Sequence, residues 1–136
     1  MPDAVISDQD YEALATFRYA LRRFMAFSEN EAKAAGLTPR QHQALLAIKG
    51  TLSAPDGLSI SQLADHLLIR HNSAVELVDR LVEAELVRRQ PDPTDGRRML
   101  VTLAQRAETV LRGLSATHLQ ELRANRANLL MLLERF

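Results

Sequence analysis

Residues 91–96 read PDPTDG, and no helix can run through them. Each proline fixes its own φ and lacks an N–H, and each disfavours helix at the residue before it. The Asp, Thr and Gly around them are turn formers. Val87 to Gln90 on one side is short and β-compatible. On the other side Met99, Val101 and Leu103 alternate with Leu100 and Thr102, the two-residue period of a strand. Residues 87–103 therefore read as a β-hairpin. The flanking chain is helical in pattern, so any fold must seat one small hairpin among helices.

Residues 10–34 form the first helical stretch. Leu14, Phe17, Leu21, Phe24 and Ser28 recur at three- and four-residue spacing, Tyr11 extends the stripe backwards, and Gly36 is a stop signal. Thr38 is a good N-cap and Pro39 suits the first helical position, which opens a helix with Leu45, Ile48 and Leu52 on its face and Gly50 near its end. SAPDG at 53–57 is a loop. LSISQLADHLLI then places Ile60, Leu63, Ala64, Leu67 and Leu68 on one face, with Ser59 or Ser61 as cap. RHNSAVELVDRLVEAELV turns Val75, Val78, Leu81 and Val82 one way and Asn72, Ser73, Glu76, Asp79 and Arg80 the other. Two short amphipathic helices with a brief break describe a helix-turn-helix, and a trailing hairpin makes it a winged helix. From Ala104 onward Ala107, Val110, Leu111, Leu114, His118 and Leu122 form another stripe, closed by NLLMLLERF. No repeat or linker interrupts the 136 residues, which suit one domain. The expected fold class is mainly α with a small β-wing: a winged helix-turn-helix lobe over 38–103 between terminal helices at 10–35 and 104–136. The long apolar stripes of the terminal helices need a partner surface, in the chain's own core or on another copy.

Arginine pairs close the turn from both ends, Arg88 and Arg89 at its base and Arg97 and Arg98 at its tip, opposed only by Asp92 and Asp95. The whole chain is neutral, with 17 Lys+Arg against 17 Asp+Glu, so an anionic partner has to be met by a local patch. Arginine heads on a thin β-ribbon reach into a minor groove, where narrow A·T-rich segments concentrate negative potential. An Asp two residues before an Arg in a tight turn holds that guanidinium in one pose, which pairs Asp95 with Arg97 and limits the entropy lost on binding. The second short helix begins with Arg70, His71, Asn72 and Ser73, side chains that donate to or accept from base edges if this end enters a major groove; Arg80 lies on its free face. An arginine-rich hairpin alone is often a solvated turn. Helix-turn-helix and hairpin in this order and at this separation are what point to double-stranded DNA.

Other functions find less support. The chain has no cysteine, which removes disulfides and thiol chemistry and fits a reducing compartment. MPDAVISDQD lacks a basic region with an apolar core, and no apolar run approaches the roughly 20 residues of a bilayer span, so a soluble cytoplasmic domain is expected, with no membrane partner. There is no Gly-rich phosphate loop, nucleophile elbow or paired-carboxylate motif, so neither an enzyme nor a cofactor is expected. His42, His66, His71 and His118 show no H-x-x-x-H spacing, and no metal site is assigned. The alternative to DNA is a winged helix whose arginines meet an acidic protein.

The run LSISQLADHLLIRHNSAVELVDRLVEAELVRRQPDPTDGRRMLVTL resembles the MarR family of winged-helix transcriptional regulators. The shared features are Leu63-Ala64, the Ser73 start of the recognition helix, LVDRL at 77–81, Leu86, Val87 and Arg89 at the strand entry, the DP-D-R wing of Asp92, Pro93, Asp95 and Arg97, and Val101 and Leu103 after it. GLTPRQHQALLAI resembles the family's second helix. The chain departs at Leu68, where glycine often stands, at Arg70, where serine often caps, and at Ala104 and Ala107 after the wing. A different or strained turn follows at Leu68, and a cap from Asn72 or from backbone geometry alone follows at Arg70. The resemblance implies a homodimer built from the terminal helices, presenting two recognition helices and two wings to a pseudo-palindromic operator. It further implies a repressor released by a small aromatic or anionic ligand, bound between the dimer helices and the DNA-binding lobe. Arg18, Tyr19, Arg22 and His42 are the candidates for that contact.

Overall fold

The computed structural model describes residues 4–136. Six helices and one hairpin follow in the order α1 (Asp8–Ala34), α2 (Pro39–Gly50), α3 (Ile60–Leu67), α4 (His71–Glu83), β1 (Val87–Pro91), β2 (Met99–Leu103), α5 (Gln105–Ala124) and α6 (Arg126–Leu133). The first three helices start with reciprocal capping boxes, Ser7 with Asp10, Thr38 with Gln41 and Ser59 with Gln62. Each satisfies two backbone N–H groups that the helix leaves open, and the third decides the cap of α3 in favour of Ser59. Gly36 ends α1 at φ 81, which lets Leu37 N–H reach back to the Ala32 carbonyl at 2.9 Å and drops Leu37 into the core.

The winged lobe closes around Leu45 of α2, Leu63 of α3, Val78 and Leu81 of α4, Leu86, Val87 of β1 and Val101 of β2, all essentially inaccessible to water. Ala32 of α1 and Ala107, Leu111 and Leu114 of α5 join the same cluster, so the terminal helices and the lobe share one core.

The strands pair antiparallel from Val87 with Leu103 at the base to Pro91 with Met99 at the tip. On the outer edge of β2, Leu58 exchanges both backbone hydrogen bonds with Val101, at 3.1 and 2.7 Å. This third segment passes very close. Gly57 precedes it at φ 117, and a Cβ there would lie 2.5 Å from the Val101 carbonyl oxygen. Only glycine fits, on both counts.

Several expected faces shift. In α1, Phe17, Phe24 and Ser28 turn inward as the spacing predicts, but Tyr11, Leu14 and Leu21 stand exposed; Ala13 and Ala32 are its buried residues. Twenty-seven residues at 3.6 per turn carry the stripe around the helix, so one face cannot hold all of it. Leu52 lies past the end of α2 in a turn and is exposed. In α4 the buried face is Ala74, Leu77, Val78 and Leu81, with Val75 and Val82 only half-buried at its margins. Strict alternation fails in β2, where Leu100 and Val101 are both buried. The terminal helix breaks at Asn125, whose side-chain amide donates to the Glu121 carbonyl at 2.9 Å; α6 then returns along α1.

Leu68 ends α3 in the left-handed region at φ 56, ψ 43, with 92% of its surface exposed. A β-carbon in that conformation costs about 1–2 kcal/mol, so the strained turn expected at the family's glycine position is present. Gly57 is the more sensitive position. Gly57→Ala should cost roughly 3 kcal/mol from strain and overlap together, read as a lowered urea midpoint. Gly96→Ala, with open space around its Cα, should stay within about 0.5 kcal/mol of the parent. Equal midpoints for the two variants would remove the close approach from this account.

Candidate nucleic-acid interface

Helix α4 begins in the open. Arg70 is its N-cap, in extended conformation and without a side-chain capping bond, and Asn72 does not replace it. The first-turn N–H groups thus keep their donors free, a favourable place for anions. Arg70, His71 and Asn72 are exposed, whereas Ser73 is half-buried. Ser73 and Arg80 share a shallow groove with Thr38, Arg40 and Gln41 of α2. Arg40 and Arg80 bring guanidinium charge to that groove from both helices, beside the carboxylate of Glu76.

The four hairpin arginines divide into two kinds. Arg97 extends from the tip with its side chain 93% exposed. Its Nε donates to Asp95 Oδ1 at 3.3 Å, and the same oxygen accepts its backbone N–H at 3.2 Å. The expected Asp95–Arg97 contact is thus formed. Arg88 is exposed on β1. Arg89, in contrast, is ion-paired with Asp79 of α4, and Arg98 folds back to donate to Ser59 Oγ at 3.0 Å. Asp92 shapes the turn from inside: its Oδ1 accepts the Thr94 N–H at 2.9 Å and the Thr94 hydroxyl at 2.8 Å. Those bonds hold its carboxyl below the usual range, with a smaller contribution from Arg98. Arg97 and Arg98 are both exposed beside the tip, as expected; they differ in their partners, Asp95 for Arg97 and Ser59 for Arg98. Both stand in the turn before β2, and what separates them is the Ser59 contact 39 positions away, which local spacing does not carry.

The four residues expected at an effector do not converge. Tyr19 lines a cleft of about 320 Å³ between α1, α5 and α6, with Arg23, Phe24, Phe27, Asn125 and Asn128. The Arg23 guanidinium lies 5.9 Å from the centre of the Tyr19 ring. Arg18 and Arg22 lie on another face of α1, beside Leu21 and Met25. His42 is only 4% exposed, in the shared core. The 19, 23, 27 spacing of the cleft residues was readable, but it runs beside the stripe that contains Leu14 and Leu21.

His42 meets His118 there, with ring centres 4.9 Å apart. His118 lies 2.7 Å from the Leu114 carbonyl through Nδ1 and 2.8 Å from Ser28 Oγ through Nε2. A neutral ring with its proton on Nδ1 satisfies both, since Nε2 then accepts the serine hydroxyl. Nδ1 of His42 is buried without a partner. Burial lowers the pKa of His42, and the neighbouring His118 lowers it further. No group of three or more His, Cys, Asp or Glu side chains fit to hold a metal ion occurs among the described residues, and no described helix is long and apolar enough to cross a membrane.

A helix-turn-helix with an exposed recognition-helix start and an arginine at the tip of its wing defines a winged-helix protein. Residues 35–98 match the MarR family model. No curated protein matches the sequence. Solved structures agree in fold. AbsC, a MarR family transcriptional regulator from Streptomyces coelicolor, is 21% identical with a TM-score of 0.75, over 93% of this chain and 84% of that one. A MepR mutant of S. aureus bound to an oligodeoxyribonucleotide is 18% identical with a TM-score of 0.67, over 88% and 94%. CouR from Rhodococcus jostii RHA1, bound to p-coumaroyl-CoA, is 20% identical with a TM-score of 0.69, over 82% and 74%.

The depressed pKa of His42 sets a pH response. A histidine that is harder to protonate folded than unfolded contributes stability above its ordinary value of 6.5, and that contribution is lost as pH falls below it. The carboxyls of Asp10 and Asp92 are lowered from 3.8, so their contribution is lost only in more acidic solution. The melting temperature should therefore fall as pH drops below about 6.5. In His42→Leu this step should flatten; an unchanged slope would place the titrating group elsewhere.

Proposed function

We propose that this chain is a homodimeric DNA-binding transcriptional regulator, acting as a repressor at a pseudo-palindromic operator and released by a small aromatic or anionic effector. The observation that carries the DNA reading is the pairing of two free elements. The start of α4 exposes Arg70, His71 and Asn72, and the wing exposes Arg97 already oriented by Asp95. The first suits base edges in a major groove and the second a narrow minor groove. Arg80, Arg88 and, at the groove margin, Ser73 add backbone and base-edge contacts. The oligodeoxyribonucleotide complex of the MepR mutant supports the same reading.

The dimer reading rests on apolar surface left open by the terminal helices. Leu14, Leu21 and Met25 of α1 and Leu119, Leu130, Met131 and Leu133 of α5 and α6 are each about half exposed or more. A monomer seldom leaves so many large apolar side chains on neighbouring helices without a use. A second copy, placed by a two-fold axis, would cover them and give two α4–wing units matching a two-fold operator. The effector reading rests on the Tyr19–Arg23–Phe27 cleft between the helices that would join the copies. CouR holds an aromatic, anionic thioester. An effector releases DNA only if it binds the non-DNA spacing of the two lobes more tightly.

Binding to fragments that include the chain's own upstream region, with excess unrelated duplex as competitor and salt varied, tests the core claim. Arg97→Ala should weaken binding to every duplex by about tenfold and reduce the slope of log K against log salt by about 0.9. Asn72→Ala should instead change the preference between sequences. A folded, dimeric protein that retains no fragment would point to an acidic protein partner.

A further inference from the structure

Arg98, although exposed, reaches back to the body of the lobe. Its guanidinium donates to Ser59 Oγ at 3.0 Å, across 39 positions of sequence. That oxygen also accepts the Gln62 N–H at 3.2 Å, as the N-cap of α3. The backbone of Arg98 closes the turn in both directions: its carbonyl accepts the Asp92 N–H at 2.8 Å, and its N–H donates to the Asp95 carbonyl at 3.0 Å. One residue is thus bonded to the wing tip through its backbone and to the start of α3 through its side chain. Beyond it, the side-chain bonds of residues 92–97 stay within the turn. Towards the base, Gln90 Nε2 donates to the Asp56 carbonyl at 3.3 Å and Leu58 pairs with Val101. A two-stranded ribbon is barely stable alone and twists freely. Its direction is set by what ties it to the body, and Arg98 is the tie nearest the tip.

We infer that Arg98 is a positioning residue, which fixes the angle at which the wing presents Arg97 to DNA by anchoring the wing to the N-cap of α3, and does not itself contact DNA. The inference rests on the DNA-binding reading above. It also links the two reading elements, because α3 leads through Leu68 into α4: the wing and the recognition helix are held in one frame.

Ser59 makes the inference testable, since at 8% exposure it is too buried to meet DNA. Ser59→Gly removes the acceptor yet keeps a tolerated N-cap, and Ser59→Asp keeps both cap and acceptor. Affinity for a mixed-sequence DNA duplex at low salt is measured for these variants and for Arg98→Ala, each alone and combined with Arg97→Ala; unfolding midpoints confirm the fold. Arg98→Ala and Ser59→Gly should each weaken binding by roughly fivefold, with the salt slope nearly unchanged, and Ser59→Asp should bind like the parent. On the Arg97→Ala background both losses should vanish, because there is no guanidinium left to aim. In the free protein, amide relaxation at residues 94–97 should show greater motion in Arg98→Ala and Ser59→Gly, but not in Ser59→Asp. Parent-like binding by Ser59→Gly, alongside a loss in Arg98→Ala that adds to Arg97→Ala and lowers the salt slope by about 0.9, would make Arg98 a direct phosphate contact and overturn the inference. Unchanged motion of the tip would overturn it too. Failure of the parent itself to bind duplex would instead defeat the DNA reading, and the relaxation result would still decide the tie.

Discussion

The backbone pairing of Leu58 with Val101 is the contact on which the lobe depends. It adds a bridge to the outer edge of the two-stranded ribbon at the middle of β2, where Val101 sits in the core, and brings the loop before α3 against the wing. Gly57 permits it by having no side chain at the crossing. From that junction Ser59 starts α3 one residue later, within reach of Arg98. The wing's attachment and the start of the helix-turn-helix are therefore one piece of structure.

Around this junction the charged side chains separate into those that build and those that remain free. Arg89 with Asp79, Arg98 with Ser59 and Lys49 with Glu108 tie elements together. Arg97, Arg88 and Arg70 stay in solvent. Exposed ion pairs contribute little stability each; their effect is to choose directions. A neutral chain can still present cationic side chains locally, because Asp79, Asp92 and Asp95 are engaged with Arg89, Thr94 and Arg97. Leu68 shows the cost of this arrangement: it holds a strained turn with its side chain in water, so the bend between α3 and α4 is imposed by the packing of Leu63, Ala74 and Val78 and not by local preference.

The terminal helices reach the lobe through Leu111 and Leu114 and through small and polar contacts. Ala32 and Ala107 allow α1 and α5 to approach α2, and His42 and His118 meet where the three helices converge. Ser28, Phe24 and Phe27 contact the His118 ring. An unpartnered nitrogen in such a place is a weak point under acid, and it lies between the helices proposed to join two copies and the lobe proposed to hold DNA.

Much of this was legible in the residues themselves. PDPTDG forbade helix, the apolar spacings marked the helices, and Thr38 with Pro39, and Ser59 or Ser61, announced starts, because turns, caps and periodicity are local physics. The Asp95–Arg97 contact was legible for the same reason: its partners stand two residues apart. What the sequence by itself determined was thus the kind and order of elements and the charge at the wing. Tertiary structure alone decided which arginine projects and which is tied down, that Leu52 and Leu68 face water, that Leu100 is covered, that the last helix breaks at Asn125, and that Tyr19 and His42 belong to separate places. Each of those depends on partners tens of residues away, such as Ser59 for Arg98, Leu58 for Val101 and His118 for His42. Local spacing carries no information about such pairs, because the chain's path through the shared core sets which surfaces meet.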